Sequence, residues 1–138
     1  MLFRSISSVV KVSNDDLDWL YPDFAGAEGN IEVAKRWIEE GVSVVVITRG
    51  ADGLVGVTRG GVVQTPGVKV NVVDTIGAGD TVGAVIAEAV EKFDLNELHS
   101  AVLLVTLEKA ARAAAITCTR KGAQPPTAKE LNGINAIH

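Results

Sequence analysis

The sequence predicts a mixed α/β fold in which helices pack on a largely buried sheet, and three observations carry that prediction. The run Val42 to Thr48 is nearly continuous in β-branched residues, too apolar for a strand with one wet face, and reads as a strand covered on both sides. Val82, Val85, Ile86, Ala89, Val90 and Phe93 recur at helical spacing, the pattern of an amphipathic helix. The elements follow in the order helix, strand, hairpin, strand, helix, helix, as expected of layers built around one core.

Each element has its local reason. Ile6 to Val12 reads as a short strand leading into Ser13, a good helix N-cap with Asp16 three residues on. Leu17, Trp19 and Leu20 follow before Pro22 stops the turn, and both Trp19 and Trp37 are expected in the core. Asn30 is expected to cap a helix whose Ile31, Ala34, Trp37 and Ile38 share one face and which ends at Gly41. Beyond Val42 to Thr48, the segments Gly53 to Thr58 and Gly61 to Thr65 flank Arg59-Gly60, a hairpin turn. Val68 to Val73 is expected to add one further strand. Asn96 is expected to cap a long alanine- and leucine-rich helix reaching about Thr117, followed by a loop over Arg120 to Pro126 and a peripheral tail.

Composition narrows the class of function. A length of 138 residues with 47% hydrophobic and 22% charged residues fits one globular domain spanning residues 1–138 and argues against disorder. Thirteen basic against 17 acidic residues give a net charge of -4, no footprint for a long phosphate backbone, so nucleic acid is not an expected partner. A small phosphorylated ligand needs only a local cluster of donors. Cys118 is the single cysteine, so no internal disulfide can form; this suits a reducing cytoplasm, where the protein is expected. Apolar runs such as Ala101 to Leu107 are too short to span a bilayer, and no membrane association is expected.

The stretch Asp74-Thr75-Ile76-Gly77-Ala78-Gly79-Asp80-Thr81 opens the most clearly amphipathic helix of the chain. Its small residues let the backbone turn sharply and approach a ligand. The first N–H groups of a helix lack partners within it, and the macrodipole places about half a positive charge there. Together they form a donor cluster aimed at an anion, suited to a phosphoryl group in transfer. Asp80 lies in that first turn, where a carboxylate can accept the proton of an attacking hydroxyl. A carboxylate is a weak base, but a loose phosphoryl-transfer transition state asks mainly for positioning and charge stabilisation. On local physics the same residues also read as a capped helix after a turn. The spacing of Gly77, Gly79 and Gly83 fits a dinucleotide fingerprint poorly, because the helix begins inside it.

Four segments in order resemble the ribokinase-like (PfkB-type) carbohydrate kinases. Asp74 to Asp80 is similar to that family's D-T-x-G-A-G-D signature, and Lys11-Val12-Ser13-Asn14-Asp15-Asp16 to its lysine–x–Asn/Ser–x–x–Glu motif. Thr48-Arg49-Gly50-Ala51-Asp52-Gly53 resembles its T-x-G-x-x-G nucleotide segment, and Ala113 to Pro125 its last helix and the loop closing over adenine. The resemblance implies a ribokinase-like layered sheet with packed helices, of which this chain carries the C-terminal part without the N-terminal half and lid.

For function, the resemblance implies ATP-dependent phosphotransfer to a sugar hydroxyl. The forms Lys-Val-Ser-x-x-Asp and Thr81-Val82-Gly83-Ala84 look most like a fructokinase. A ribokinase or 2-keto-3-deoxygluconate kinase fragment, and a noncatalytic nucleotide-binding remnant, are the alternatives. Asp80 becomes the general base, with Gly77, Ala78 and Gly79 as the anion hole and Thr48, Gly50, Gly53 and Gly122 at the nucleotide. Asp16 would help hold Mg²⁺ through water, with the Asp-for-Glu change shortening its reach, and Asp74 and Ile76 would help hold a monovalent cation such as K⁺. ATP and a small sugar are the implied ligands, and either a homo-oligomer or a complementing N-terminal half would cover the sheet.

Overall fold

The computed structural model describes residues 8–122 and 125–131. Its centre is a four-stranded sheet in the order β1 (Ser8–Ser13), β2 (Val42–Thr48), β3 (Leu54–Thr58), β4 (Gly61–Thr65). β1 and β2 run parallel, while β2–β3 and β3–β4 are antiparallel, the last pair joined by the expected two-residue turn at Arg59-Gly60. The first strand begins at Ser8, so residues 6 and 7 of the expected strand lie outside the described residues.

Burial of both sheet faces explains the composition of β2. Val45 and Ile47 pack with Val10, Val55 and Val57 against one helix, α2 (Ala27–Glu39), through Val33, Ala34, Trp37 and Ile38. Val44 and Val46 face the opposite side, toward α3 (Ala78–Lys92) and α4 (Ser100–Cys118), where Val82, Ile86, Leu103 and Leu107 close the second cluster. Val44, Val45, Val46 and Ile47 are each at most 1% exposed, and burial at that level stabilises by about 1.5–3 kcal/mol per side chain. Val42 breaks the alternation by joining the α2 side. A register shift puts Ser8 opposite Val42 and Val9 opposite Val44, and this extra β2 residue flips the faces before it.

Several elements differ from their sequence expectation. The short helix α1 (Asn14–Leu20) is capped by Ser13, whose Oγ accepts from the Asp16 amide at 3.1 Å, as expected. Trp19, however, is 82% exposed. A seven-residue helix can present only one stripe to the core; Leu17 takes it, and Trp19, two residues on, lies about 200° around the axis. Asn30 is not a cap. α2 begins at Ala27 with Gly26 as its N-cap, and Asn30 is buried inside it, donating from Nδ2 to Asp18 Oδ1 at 2.8 Å and to the Phe24 carbonyl at 3.3 Å. Asp18 Oδ1 also accepts from the Gly26 amide, so this half-buried polar cluster ties α1 to the start of α2.

Val68 to Val73 forms no strand. Its alternation is real, with Val68 and Val70 half-buried and Lys69 and Asn71 exposed, but the inward residues line a cleft instead of pairing in the sheet. The long helix starts at Ser100 rather than after Asn96, because Leu95–Glu97 makes a separate 3₁₀ turn and Leu98 plugs the core at 1% exposure. The tail is not peripheral as far as Leu131. Residues 128–131 form a helical turn with a reciprocal cap: the Thr127 amide donates to Glu130 Oε1, and the Glu130 amide to Thr127 Oγ1. Leu131 thereby packs with Ala113 and Ile116. Among the described residues, no helix is long and apolar enough to cross a membrane.

Candidate active site

The site lies at the C-terminal edge of the parallel pair β1–β2. Ser13 and Thr48 are register partners there, so the segments that follow them, α1 and the turn Gly50–Asp52, leave the sheet side by side. Crevices at this edge are the usual ligand positions of parallel sheets.

The chain reaches α3 through a turn held at three points. The Cys118 carbonyl, at the end of α4, accepts from the amides of Val73 and Asp74 at 2.7 and 3.1 Å. Asp74 Oδ1 accepts from the Ile76 amide at 2.9 Å, and its Oδ2 from the Gly122 amide at 3.2 Å. Gly77 then adopts φ 83° as N-cap of α3, a left-handed conformation that glycine takes without the penalty of a Cβ. Its carbonyl accepts both the amide and the hydroxyl of Thr81, each at 2.9 Å, and the same hydroxyl meets Thr117 Oγ1 at 2.9 Å in the core. The turn is fixed from below, through α4.

This bracing decides which amides face outward. Ala78 donates to the Thr75 carbonyl at 3.3 Å and Thr81 to Gly77. The amides of Gly77, Gly79 and Asp80 have no partner among the described residues, so two of the expected Gly77–Ala78–Gly79 set stay open, Ala78 is engaged and Asp80 joins the open donors. The Asp80 side chain is exposed beside them.

A cleft of about 530 Å³ adjoins this turn. Thr48, Gly50 and Gly53 line one wall, Ala78 and Gly79 another. Further lining comes from Val68 and Val70, in the segment after β4, and from α4: Ala111, and Ala114, Ala115 and Cys118 of the stretch that resembles the family's last helix. Val68, Val70 and Ala111 belong to no such segment, and their signal in the sequence is an alternating apolar run and a helix of small side chains. The wall is mostly apolar with one polar, amide-bearing end, a form suited to a flat ring joined to an anion. Gly122 is not in the lining; its amide is engaged by Asp74. Burial, and next the nearby Asp74 carboxylate, hold the Cys118 thiol above its ordinary pKa, which keeps it a neutral wall residue.

The remaining candidates, Asp74, Ile76, Gly122 and Asp16, separate, and Arg49 and His99 stand apart from them. Asp74, Ile76 and Gly122 are drawn together by the two Asp74 hydrogen bonds. Asp16 stands exposed in the first turn of α1, and among the described residues no three His, Cys, Asp or Glu side chains gather as a metal cluster. Arg49 folds back on the sheet, its guanidinium 3.4 Å from Gln64 Oε1. His99 is exposed at the start of α4, with Nδ1 against Ser100 Oγ.

The family model of the pfkB carbohydrate kinases matches residues 2–130. The chain belongs to that family. It is 41% identical over 90 residues to the fructokinase of Rhizobium leguminosarum bv. trifolii, a match covering 64% of this chain and 26% of that enzyme. In three dimensions it resembles the Xylella fastidiosa fructokinase with bound ATP, with a TM-score of 0.79 and 27% identity over 94% of this chain and 42% of that one. It also resembles a double mutant of the Vibrio cholerae O395 fructokinase bound to fructose, ADP and potassium ion, with a TM-score of 0.74 and 26% identity over 91% and 39% of the two chains. The chain thus spans between a quarter and about two-fifths of these relatives' lengths.

Proposed function

We propose that this pfkB-family chain binds ATP in the cleft and supplies the base for phosphoryl transfer to a sugar hydroxyl, with fructose as the first substrate to test. The observation that carries the reading is the junction of an apolar cleft with two open amides and an exposed carboxylate in the first turn of α3. In this reading the adenine side of the nucleotide lies against Val68, Val70 and Ala114, with Thr48, Gly50 and Gly53 opposite. The terminal phosphate meets the amides of Gly79 and Asp80, where fixed donors stabilise charge without reorganising. Asp80 orients the acceptor hydroxyl and takes its proton as the P–O bond to that oxygen forms and the bond to ADP breaks.

Magnesium fits this site only as an ion held mainly by phosphate oxygens and water, since Asp16 offers one exposed carboxylate and no closed cage exists among the described residues. It would supply charge neutralisation on the phosphates. A monovalent cation fits beside Asp74, whose two oxygens each keep acceptor capacity after binding the Ile76 and Gly122 amides. The likeness to the Rhizobium fructokinase favours fructose over ribose as the acceptor. Among the described residues β1 has one strand neighbour in the sheet, which leaves an edge where a complementing N-terminal segment would pair.

A second reading, nucleotide binding without turnover, is favoured by the exposed Asp16, which stands where the family motif has Glu and reaches one methylene less far. The two are separated by assaying ATP-dependent phosphorylation of fructose by this chain, and by the same chain joined behind the preceding portion of the Xylella fastidiosa fructokinase. The chimera is expected to phosphorylate fructose and the chain alone to show no efficient turnover, because this chemistry rests on orienting both reactants. An inactive but folded chimera would remove the kinase reading.

A further inference from the structure

We propose that the buried hydroxyl pair Thr81–Thr117 is a positioning device for the glycine turn, fixing the backbone conformation of Gly77 in which the amides at the start of α3 receive an anion; this rests on the nucleotide-site reading above. Thr81 is 7% exposed and Thr117 0%. They join the first turn of α3 to the last turn of α4 across 36 positions of sequence, with their oxygens 2.9 Å apart. Thr81 Oγ1 reaches the Gly77 carbonyl at 2.9 Å, and Thr117 Oγ1 the Ala113 carbonyl at 3.1 Å. The next residue, Cys118, accepts the Val73 and Asp74 amides. The end of α4 therefore grips the chain on both sides of the glycine turn.

The turn needs such a grip because of its glycine. The freedom that lets Gly77 sit at φ 83° also leaves it a wide choice of other conformations. A rotation of the peptide plane after Gly77 would swing its carbonyl out of the core and re-aim the amides beyond it. The Thr81 amide holds that carbonyl as in any helix. The Thr81 hydroxyl adds a second donor, on a side chain enclosed by the core and tied to the other helix. Donors fixed in advance stabilise a phosphoryl charge without reorganising.

The two hydroxyls act as a unit. Each carries one proton, so their three contacts share two protons. Either Thr117 donates to Thr81 and Thr81 to Gly77, or Thr81 donates to Thr117 and Thr117 to Ala113. Only the first arrangement places a hydroxyl proton on the turn. Fold stability does not call for either hydroxyl. Valine has the shape of threonine, and apolar groups in place of both partners of a buried hydrogen bond are nearly neutral or stabilising.

The test is titration calorimetry of the whole chain with ATP and with AMP in magnesium, beside urea denaturation, for the unmutated protein, Thr81→Val and Thr81→Ser. Thr81→Val strands no buried donor, since the Thr117 hydroxyl keeps the Ala113 carbonyl. It is expected to keep its urea midpoint, to weaken ATP binding by about threefold to tenfold, and to leave AMP unchanged. Thr81→Ser gives up a buried methyl, so its midpoint falls, while its hydroxyl keeps ATP affinity near that of the unmutated chain. Affinities that follow the midpoints, with serine weaker than valine, assign the pair to stability alone and overturn the proposal. Unchanged ATP affinity in Thr81→Val, or an equal loss for AMP, overturns it too and leaves the nucleotide site standing. An unmutated chain that binds no ATP removes the nucleotide-site reading, and this proposal with it.

Discussion

Asp80→Asn is expected to lower kcat for fructose phosphorylation by about a hundredfold to ten-thousandfold, with KM for both substrates nearly unchanged, measured in the chimera that joins this chain to a fructokinase N-terminal portion. Asparagine has the same shape and can still accept a hydrogen bond from the sugar hydroxyl, but it cannot take up the proton. Asp80 is exposed in the first turn of α3 and makes no side-chain hydrogen bond among the described residues. The fold therefore loses only the favourable interaction of an acid with the helix N-terminus, about 0.3–1 kcal/mol. Stability and turnover should thus respond very differently. A fall in kcat with KM held marks an interaction made in the transition state. Normal turnover would remove Asp80 from the role of base.

Gly53→Ala is expected to destabilise the chain by roughly 3–5 kcal/mol and to abolish ATP binding with it, read by urea denaturation and calorimetry. Gly53 sits at φ 96°, ψ -146°, a region open essentially to glycine alone. A Cβ there would also stand 2.0 Å from the Thr65 carbonyl oxygen and 2.6 Å from the Pro66 carbonyl carbon. These are backbone atoms, so no rotamer change relieves the overlap, and the start of β3 must part from the chain leaving β4. That junction carries the cleft wall. Gly50, three residues earlier, is the control: it too has positive φ, 53°, but a Cβ there would meet nothing within 4 Å. Gly50→Asn should cost under about 1 kcal/mol, because asparagine tolerates the left-handed region. Equal losses for the two variants would contradict the close-approach account.

Much of the fold is legible in the sequence because its signals are local. The β-branched run of β2, the Arg59-Gly60 turn and the apolar periodicity of α3 each determine their element from neighbouring residues. Trp19 is not legible in this way: a large aromatic near a short helix looks like core until the helix is seen to have one inward stripe, already taken by Leu17. Val68 and Val70 carry the alternation of a strand, and that pattern is the same whether the inward face meets a sheet or a cleft. The cap joining Thr127 and Glu130 has the readable form T-x-x-E, but the reason for the turn, a seat for Leu131 on α4, is long-range.

The site divides in the same way. The glycine-rich turn and Asp80 stand next to each other in sequence, so their chemistry can be inferred from it directly. Which amides stay open depends on Thr75 accepting from Ala78 and on Thr117 bracing Thr81 from α4, contacts that no spacing reveals.

The functional proposal requires that the open amides of the first turn of α3 receive the terminal phosphate of ATP. A nitrogen–proton correlation spectrum of the isolated chain, titrated with ATP and magnesium, tests it most directly. The Gly79 and Asp80 amide resonances should shift with ATP far more than with AMP, while those of α2, on the opposite face of the sheet, stay in place. Shifts that leave Gly79 and Asp80 untouched, or that AMP reproduces in full, would contradict the account.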